Sequence, residues 1–160
     1  MTVFEFRCSL HVPRPVDEVF PFFTDVHNLE AITPPWLKFH VLTPQPNPMR
    51  AGVTIDYRLK VHGLPLRWRS RINVWEPPFR FVDEQVRGPY RLWIHEHRFE
   101  EVDGGTLCHD HVRYAVPGGR LLNWLFVRGD VEKIFSHRQR QLARVFAPDV
   151  GHASLAASTG

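Results

Sequence analysis

The chain is poor in cysteine: its 160 residues hold only Cys8 and Cys108, and they form no Cys-x-x-Cys pair. Two thiols build no disulfide framework, so the small disulfide-stapled classes are excluded and reduced, buried thiols are expected. No stretch is long and apolar enough to cross a bilayer, and no membrane span is expected. Residues 2–7 alternate as a strand does, with no basic region leading into a long apolar run, so no secretory leader is expected and a cytoplasmic chain is. Long runs of one charge are also missing. The net charge is only +3, and the arginines alternate with apolar residues. That pattern reads as the outer faces of strands, and no nucleic-acid partner is expected. Glycine-rich dinucleotide and phosphate loops, Gly-x-Ser-x-Gly and His-Glu-x-x-His are absent as well, which removes the common nucleotide, serine-hydrolase and zinc-protease signatures. No cofactor and no metal are expected.

What is present is a globular composition, 43% hydrophobic and 12% aromatic, punctuated by 14 prolines. Val3 to Val12 alternates like a strand and ends at Pro13 and Pro15. Pro15-Val16-Asp17-Glu18 opens a short helix, with acids in the turn where the helix dipole favours them. A second short helix is predicted around Val26 to Ile32 with Asp25 as its cap, then a strand over Leu37 to Leu42. From Ala51 to Val116 the pattern is a meander: Val53–Val61, Leu66–Trp75, Phe79–Arg87, Tyr90–Val102 and Thr106–Val116. Its breaks (His62-Gly63, Glu76-Pro77-Pro78, Gly88-Pro89, Asp103-Gly104-Gly105) are too short for anything but antiparallel neighbours. Apolar residues then recur at helical spacing from Arg120 to Phe146, a helix of about 40 Å if continuous, with a break predicted at Gly129-Asp130. The small, polar residues 147–160 are expected to form a disordered tail after a single domain over 1–146.

An amphipathic helix of this length must bury its stripe, and the sheet is its one large partner. A twisted sheet laid on one helix leaves an interior gap, and strand parity says what faces it. Ile55, Tyr57 and Leu59 oppose charged neighbours, as do Trp68, Ser70 and Ile72. Thr106, Cys108, Asp110, Val112 and Tyr114 oppose His109, His111 and Arg113. The strand holding Trp93, His95, His97 and Phe99 is mixed on both parities, so parity leaves its inner face open.

The polar residues in this setting are the informative ones: Asp83, Gln85, His95, His97 and Asp110. Burying such groups without partners costs on the order of 1–3 kcal/mol each. Three readings compete: a satisfied His–Asp network bridging strands, a polar patch that orients the polar end of a ligand, and a metal or acid–base site. Two histidines at i and i+2 share a strand face, as ligation requires, but that spacing is common by chance in a chain with ten. Arg138 sits on the apolar stripe of the last helix, either snorkelling outward or reaching an inner carboxylate. Trp36 either covers a cavity mouth or staples the short helices. Residues 121–127 are apolar nearly all round, which points to full burial, an oligomer contact or a membrane-touching segment.

Several motifs carry a resemblance. They are Leu29 with Ile32-Thr33-Pro34-Pro35, Gly63 to Ser70 with Arg67-Trp68, Trp75-Glu76-Pro77-Pro78 and Phe81 to Gln85. The run from Gly88-Pro89-Tyr90 through Trp93, His95, His97 and Phe99 to Gly105-Thr106, Asp110, Val112 and Tyr114 completes them. On these the chain resembles the START-like, or SRPBCC, superfamily of polyketide cyclases, aromatase/cyclases and lipid-transfer domains, and more narrowly its bacterial single-domain members of ill-defined function. The resemblance implies an α+β helix-grip fold: a curved antiparallel sheet wrapped around a long C-terminal helix, with two short helices after the first strand. It also implies an internal cavity for a hydrophobic small molecule. The residues expected to contact that ligand are Tyr57, Trp68, Asp83, Gln85, Trp93, His95, His97, Asp110, Tyr114 and Arg138. Carrier or sensor, cyclase/dehydratase-like enzyme using the His and Asp groups, and protein-interaction module are the functions to separate, with a homodimer through 121–127 among the expected partnerships.

Overall fold

A computed structural model describes residues 1–147; the expected tail lies outside the described residues, except for Ala147. Among the described residues, seven strands form one antiparallel sheet in the order β1-β7-β6-β5-β4-β3-β2. They are β1 (Phe4–Val12), β2 (His40–Val41), β3 (Thr54–Val61), β4 (Leu64–Glu76), β5 (Arg80–Arg87), β6 (Leu92–Val102) and β7 (Gly105–Ala115). The meander pairs each strand with the next, and the first strand closes onto the last through Phe4↔Tyr114 to Val12↔Thr106. Between β1 and β2 lie α1 (Val16–Thr24), α2 (Asn28–Ile32) and a tight 3-10 turn, Pro35–Leu37. The described residues finish with α3 (Gly119–Leu122), a π-helical turn (Asn123–Val127) and α4 (Arg128–Val145). This is the helix-grip architecture that the resemblance implies, with the meander and the long last helix that the pattern predicts.

Local chemistry explains the elements. Pro15 stands in extended conformation just ahead of α1, which buries Val16, Val19, Phe20 and Phe23 and carries Asp17 and Glu18 in its first turn. Asp25 is not the cap of α2, a place that His27 takes without a side-chain cap bond; Asp25 Oδ1 instead accepts the His27 N–H at 2.9 Å in the turn ahead of the helix. Gly118 and Gly119 both take left-handed φ, +82° and +59°, where the chain turns out of β7 into α3.

The apolar stripes meet in three groups around the interior. Phe20, Phe23, Phe81, Phe99, Leu142 and Phe146 join α1 and the end of α4 to the sheet. Val112, Tyr114, Val131 and Phe135 join β7 to α4, and Val26, Ile55 and Tyr57 join β3 to the short helices. The outer sheet face carries the arginines, with Arg69 2.7 Å from Asp56 and Arg71 3.7 Å from Glu84.

Three further local expectations are corrected. The strand over Leu37 to Leu42 shrinks to His40–Val41, because Pro34 and Pro35 commit the chain to a 3-10 turn that consumes Leu37 and puts Lys38 in left-handed conformation. The last helix is not broken at Gly129-Asp130; α4 runs through both, and the irregularity is the π turn just before them. Full burial of 121–127 also fails: Leu121, Trp124, Leu125 and Phe126 are exposed, Trp124 at 72%, while Asn123 is the buried residue of the π turn.

Candidate functional site

Between the concave sheet face and α4 lies a cavity of about 590 Å³. Its walls are built from alternate residues of β3 and β4, Ile55, Tyr57 and Leu59 facing Leu66, Trp68 and Ser70, as parity requires. A register shift between Ile72 and Val74 then interrupts the alternation, so Trp75, of the opposite parity, also turns inward. From α4, Ile134, Phe135 and Arg138 close the roof. Leu64, Leu122 and Phe126 line the cavity and are also solvent-exposed, which marks them as its rim. There His62 Nε2 reaches across to Asp130 Oδ2 at 2.8 Å, tying the β3–β4 turn to the start of α4. A second hollow of similar volume, on the surface, is lined by Lys38, Arg58, Lys60 and Arg67 and has no aromatic wall.

Of the ten residues expected at the ligand, seven line the cavity: Tyr57, Trp68, Asp83, Trp93, His95, His97 and Arg138. The other three stand behind it. Gln85 clamps the turn before β6, donating to Tyr90 O at 2.8 Å and accepting the Tyr90 N–H at 3.1 Å. Tyr114 packs beneath Tyr90 and Trp93, with ring centroids 6.1 Å away in both cases. Asp110 lies under the two histidines of β6. Trp36 does not reach the cavity; it is exposed and meets the His137 ring edge-on. Tyr90 and Trp75 are wall residues that the expected set lacks.

The polar end is a linked group on β5, β6 and β7. His95 and His97 are 5% and 4% exposed, so their partners must come from the protein or from whatever fills the cavity. His97 Nε2 lies 2.9 Å from Asp83 Oδ2, and His95 Nε2 lies 2.6 Å from Asp110 Oδ1. The two imidazoles are 3.7 Å apart, and His97 stacks on Phe81 at 4.1 Å while Phe135 meets His95 edge-on. Burial pushes the His97 imidazole down to about 4, with the adjacent His95 second, and outweighs the nearby carboxylates. Burial by itself would raise Asp83; the hydrogen bond from His97 and the charge of His95 prevail and hold it below the ordinary carboxylate range. Burial likewise opposes ionisation of Asp110, but the Arg138 charge and then the His95 hydrogen bond carry it well below that range.

Arg138 turns inward rather than snorkelling out. Its guanidinium lies over Phe23 and Phe135 at 5.5 and 5.9 Å, and its Nε and Nη2 are buried without hydrogen-bond partners. A cavity at the roof lets the head group stay inside the apolar stripe.

The thiols beside this cluster are inert by the same physics. Burial first, and the Asp110 charge second, push Cys8 and Cys108 up to about 12. A raised thiol pKa leaves less thiolate at pH 8, so native alkylation by iodoacetamide is expected to run on the order of 1,000-fold slower than in urea. Mass spectrometry of timed samples reads this; rapid labelling of either native cysteine contradicts it.

Comparison by sequence with curated proteins finds no match. Solved structures share the fold. Protein CV1439 from Chromobacterium violaceum superimposes with a TM-score of 0.72 at 16% identity, covering 91% of this chain and 98% of that one. Major latex-like protein 151 from Panax ginseng gives 0.68 at 11% identity, covering 92% and 100%. The Zhui aromatase/cyclase from Streptomyces sp. R1128 gives 0.63 at 19% identity, covering 91% and 98%. At these identities the likeness is one of fold. A sequence profile described as polyketide cyclase / dehydrase and lipid transport matches residues 12–142, from the end of β1 to the last buried leucine of α4. The chain therefore belongs to the polyketide cyclase/dehydrase and lipid transport family, within the START-like, or SRPBCC, superfamily.

Proposed function

We propose that this protein binds a hydrophobic or aromatic small molecule inside the cavity, as an intracellular carrier or sensor. The observation that carries the reading is the cavity itself: about 590 Å³ of space walled by Tyr57, Trp68, Trp75 and Trp93, with Asp83, His95, His97 and Arg138 among its lining residues. Aromatic walls favour a flat or greasy body. The unpartnered Arg138 N–H groups favour an oxygen-bearing, preferably anionic, end. Reduced, unpaired cysteines support a cytoplasmic setting.

A second reading rests on the His–Asp pairs at the cavity wall. Asp83, His95 and His97 face the same space as the ligand, so cyclase- or dehydratase-like acid–base chemistry would use them. The exposed apolar residues Leu121, Trp124 and Leu125 support self-association beside the rim.

Gentle purification from the native host followed by native mass spectrometry tests these together. The expected spectrum shows one small molecule per chain, released on activation, and the subunit mass reports any dimer. Anilinonaphthalene sulfonate is expected to bind at a single site with micromolar Kd. Bare chain in the spectrum and no saturable dye binding would remove the carrier reading. Recovery of a chemically altered ligand after incubation would favour the enzyme.

A further inference from the structure

The two histidines of β6 stand between two carboxylates, and their protons do not close the hydrogen bonding. His97 has Asp83 Oδ2 2.9 Å from Nε2 and Asp110 Oδ1 3.5 Å from Nδ1. A neutral imidazole has one N–H, so one of its nitrogens must turn a lone pair toward a carboxylate oxygen. In the structure His97 Nδ1 is buried without a hydrogen-bond partner. His95 repeats the arrangement, with Nε2 2.6 Å from Asp110 Oδ1 and Nδ1 3.9 Å from Asp83 Oδ2. Asp110 Oδ1 is thus the shared neighbour behind both rings, hydrogen-bonded to His95 alone, and Asp83 Oδ2 the shared neighbour in front.

One proton assignment makes all of these contacts favourable, provided a cation is present. In it His95 Nε2–H donates to Asp110, a proton on His97 Nδ1 lies on the Asp110 side at 3.5 Å, and the lone pairs of His95 Nδ1 and His97 Nε2 are left beside Asp83. Ligand atoms from these three residues lie within 4.8 Å of one another. Carboxylates that hold metal-binding imidazoles by their distal N–H groups are the usual outer support of such sites, which is the part Asp110 would play.

We propose that Asp83, His95 and His97 bind a first-row divalent transition metal ion, with Asp110 fixing both imidazoles and the open coordination positions facing the cavity. Two ring nitrogens and one carboxylate oxygen suit zinc, iron(II) or cobalt(II) far better than calcium or magnesium, which take oxygen ligands. Charge agrees. Asp83 and Asp110 outnumber Arg138, leaving an excess of negative charge in a buried site when both rings are neutral. The guanidinium also tempers the attraction, so micromolar rather than nanomolar affinity is expected.

The untagged full chain, stripped with chelator and titrated with cobalt(II), is expected to bind one ion with the visible absorption of a low-coordinate site, and zinc is expected to displace it. Nitrogen-15 spectra of the wild-type imidazoles should then show zinc-dependent shifts at His95 and His97 and at no other of the ten histidines. Asp83→Asn should weaken binding by about 100-fold, and Asp110→Asn by about 10- to 100-fold. No stoichiometric binding at submillimolar metal overturns the proposal, as does binding whose imidazole signature falls on other histidines. That signature is read on the wild-type protein, so it holds even where a variant does not fold. It is also independent of whether a hydrophobic ligand binds.

Discussion

Replacing Asp110 by alanine is expected to lower the unfolding free energy by about 3–5 kcal/mol, measured by urea denaturation. Asp110 accepts from His95 Nε2 at 2.6 Å, and its charge lies within reach of the Arg138 guanidinium. Its removal leaves a buried N–H and a buried cation without compensation, which is the expensive way to break such a group. Asp110→Asn preserves an acceptor but no charge, so its loss should be smaller. A loss under about 1 kcal/mol for the alanine variant would mean that water reaches the pair and screens it, as at a surface ion pair.

The second large effect concerns the cavity. Ile134 lies on the inward side of α4, lines the cavity and is only partly buried. A tryptophan there has empty space to grow into, so the usual penalty for overfilling a packed core should not arise. Ile134→Trp is expected to weaken anilinonaphthalene sulfonate binding by about 100-fold while Tm moves by no more than about 3 °C. Unchanged dye binding would place the dye elsewhere, with the exposed residues around Trp124 as the alternative, and would count against the cavity as the binding site.

The architecture was readable wherever a simple period ruled. In β3 and the first half of β4, charged and apolar residues alternate cleanly, β7 departs from alternation at Leu107 and Asp110, and on all three the faces assigned by parity are those observed. At Asn73 that period fails: the register shift beside it turns Trp75 inward, and nothing in the local composition announces a bulge there. On β6 both parities mix charge and apolar surface, so only the fold shows that His95, His97 and Phe99 share the inner face. The polar cluster was legible as a set of costly residues, but its internal division was not. Gln85 serves a turn because Tyr90 follows five residues later, whereas Asp110 serves His95 through a pairing fifteen residues apart. Arg138 was ambiguous for a related reason: an arginine on an apolar stripe snorkels if the interior is full and stays if it is hollow, and hollowness belongs to the assembled fold.

The π turn at Asn123–Val127 sets the rotational phase of everything after it. A π turn holds one residue more than the α-helical path it replaces, and one residue is about 100° of azimuth. Arg138, Phe135 and Val131 aim where they do because that extra residue lies between the β7 exit and α4. A single-residue deletion at the rim would therefore act at a distance. It would swing the roof by nearly a third of a revolution and carry the guanidinium away from the carboxylates, leaving every wall strand in place.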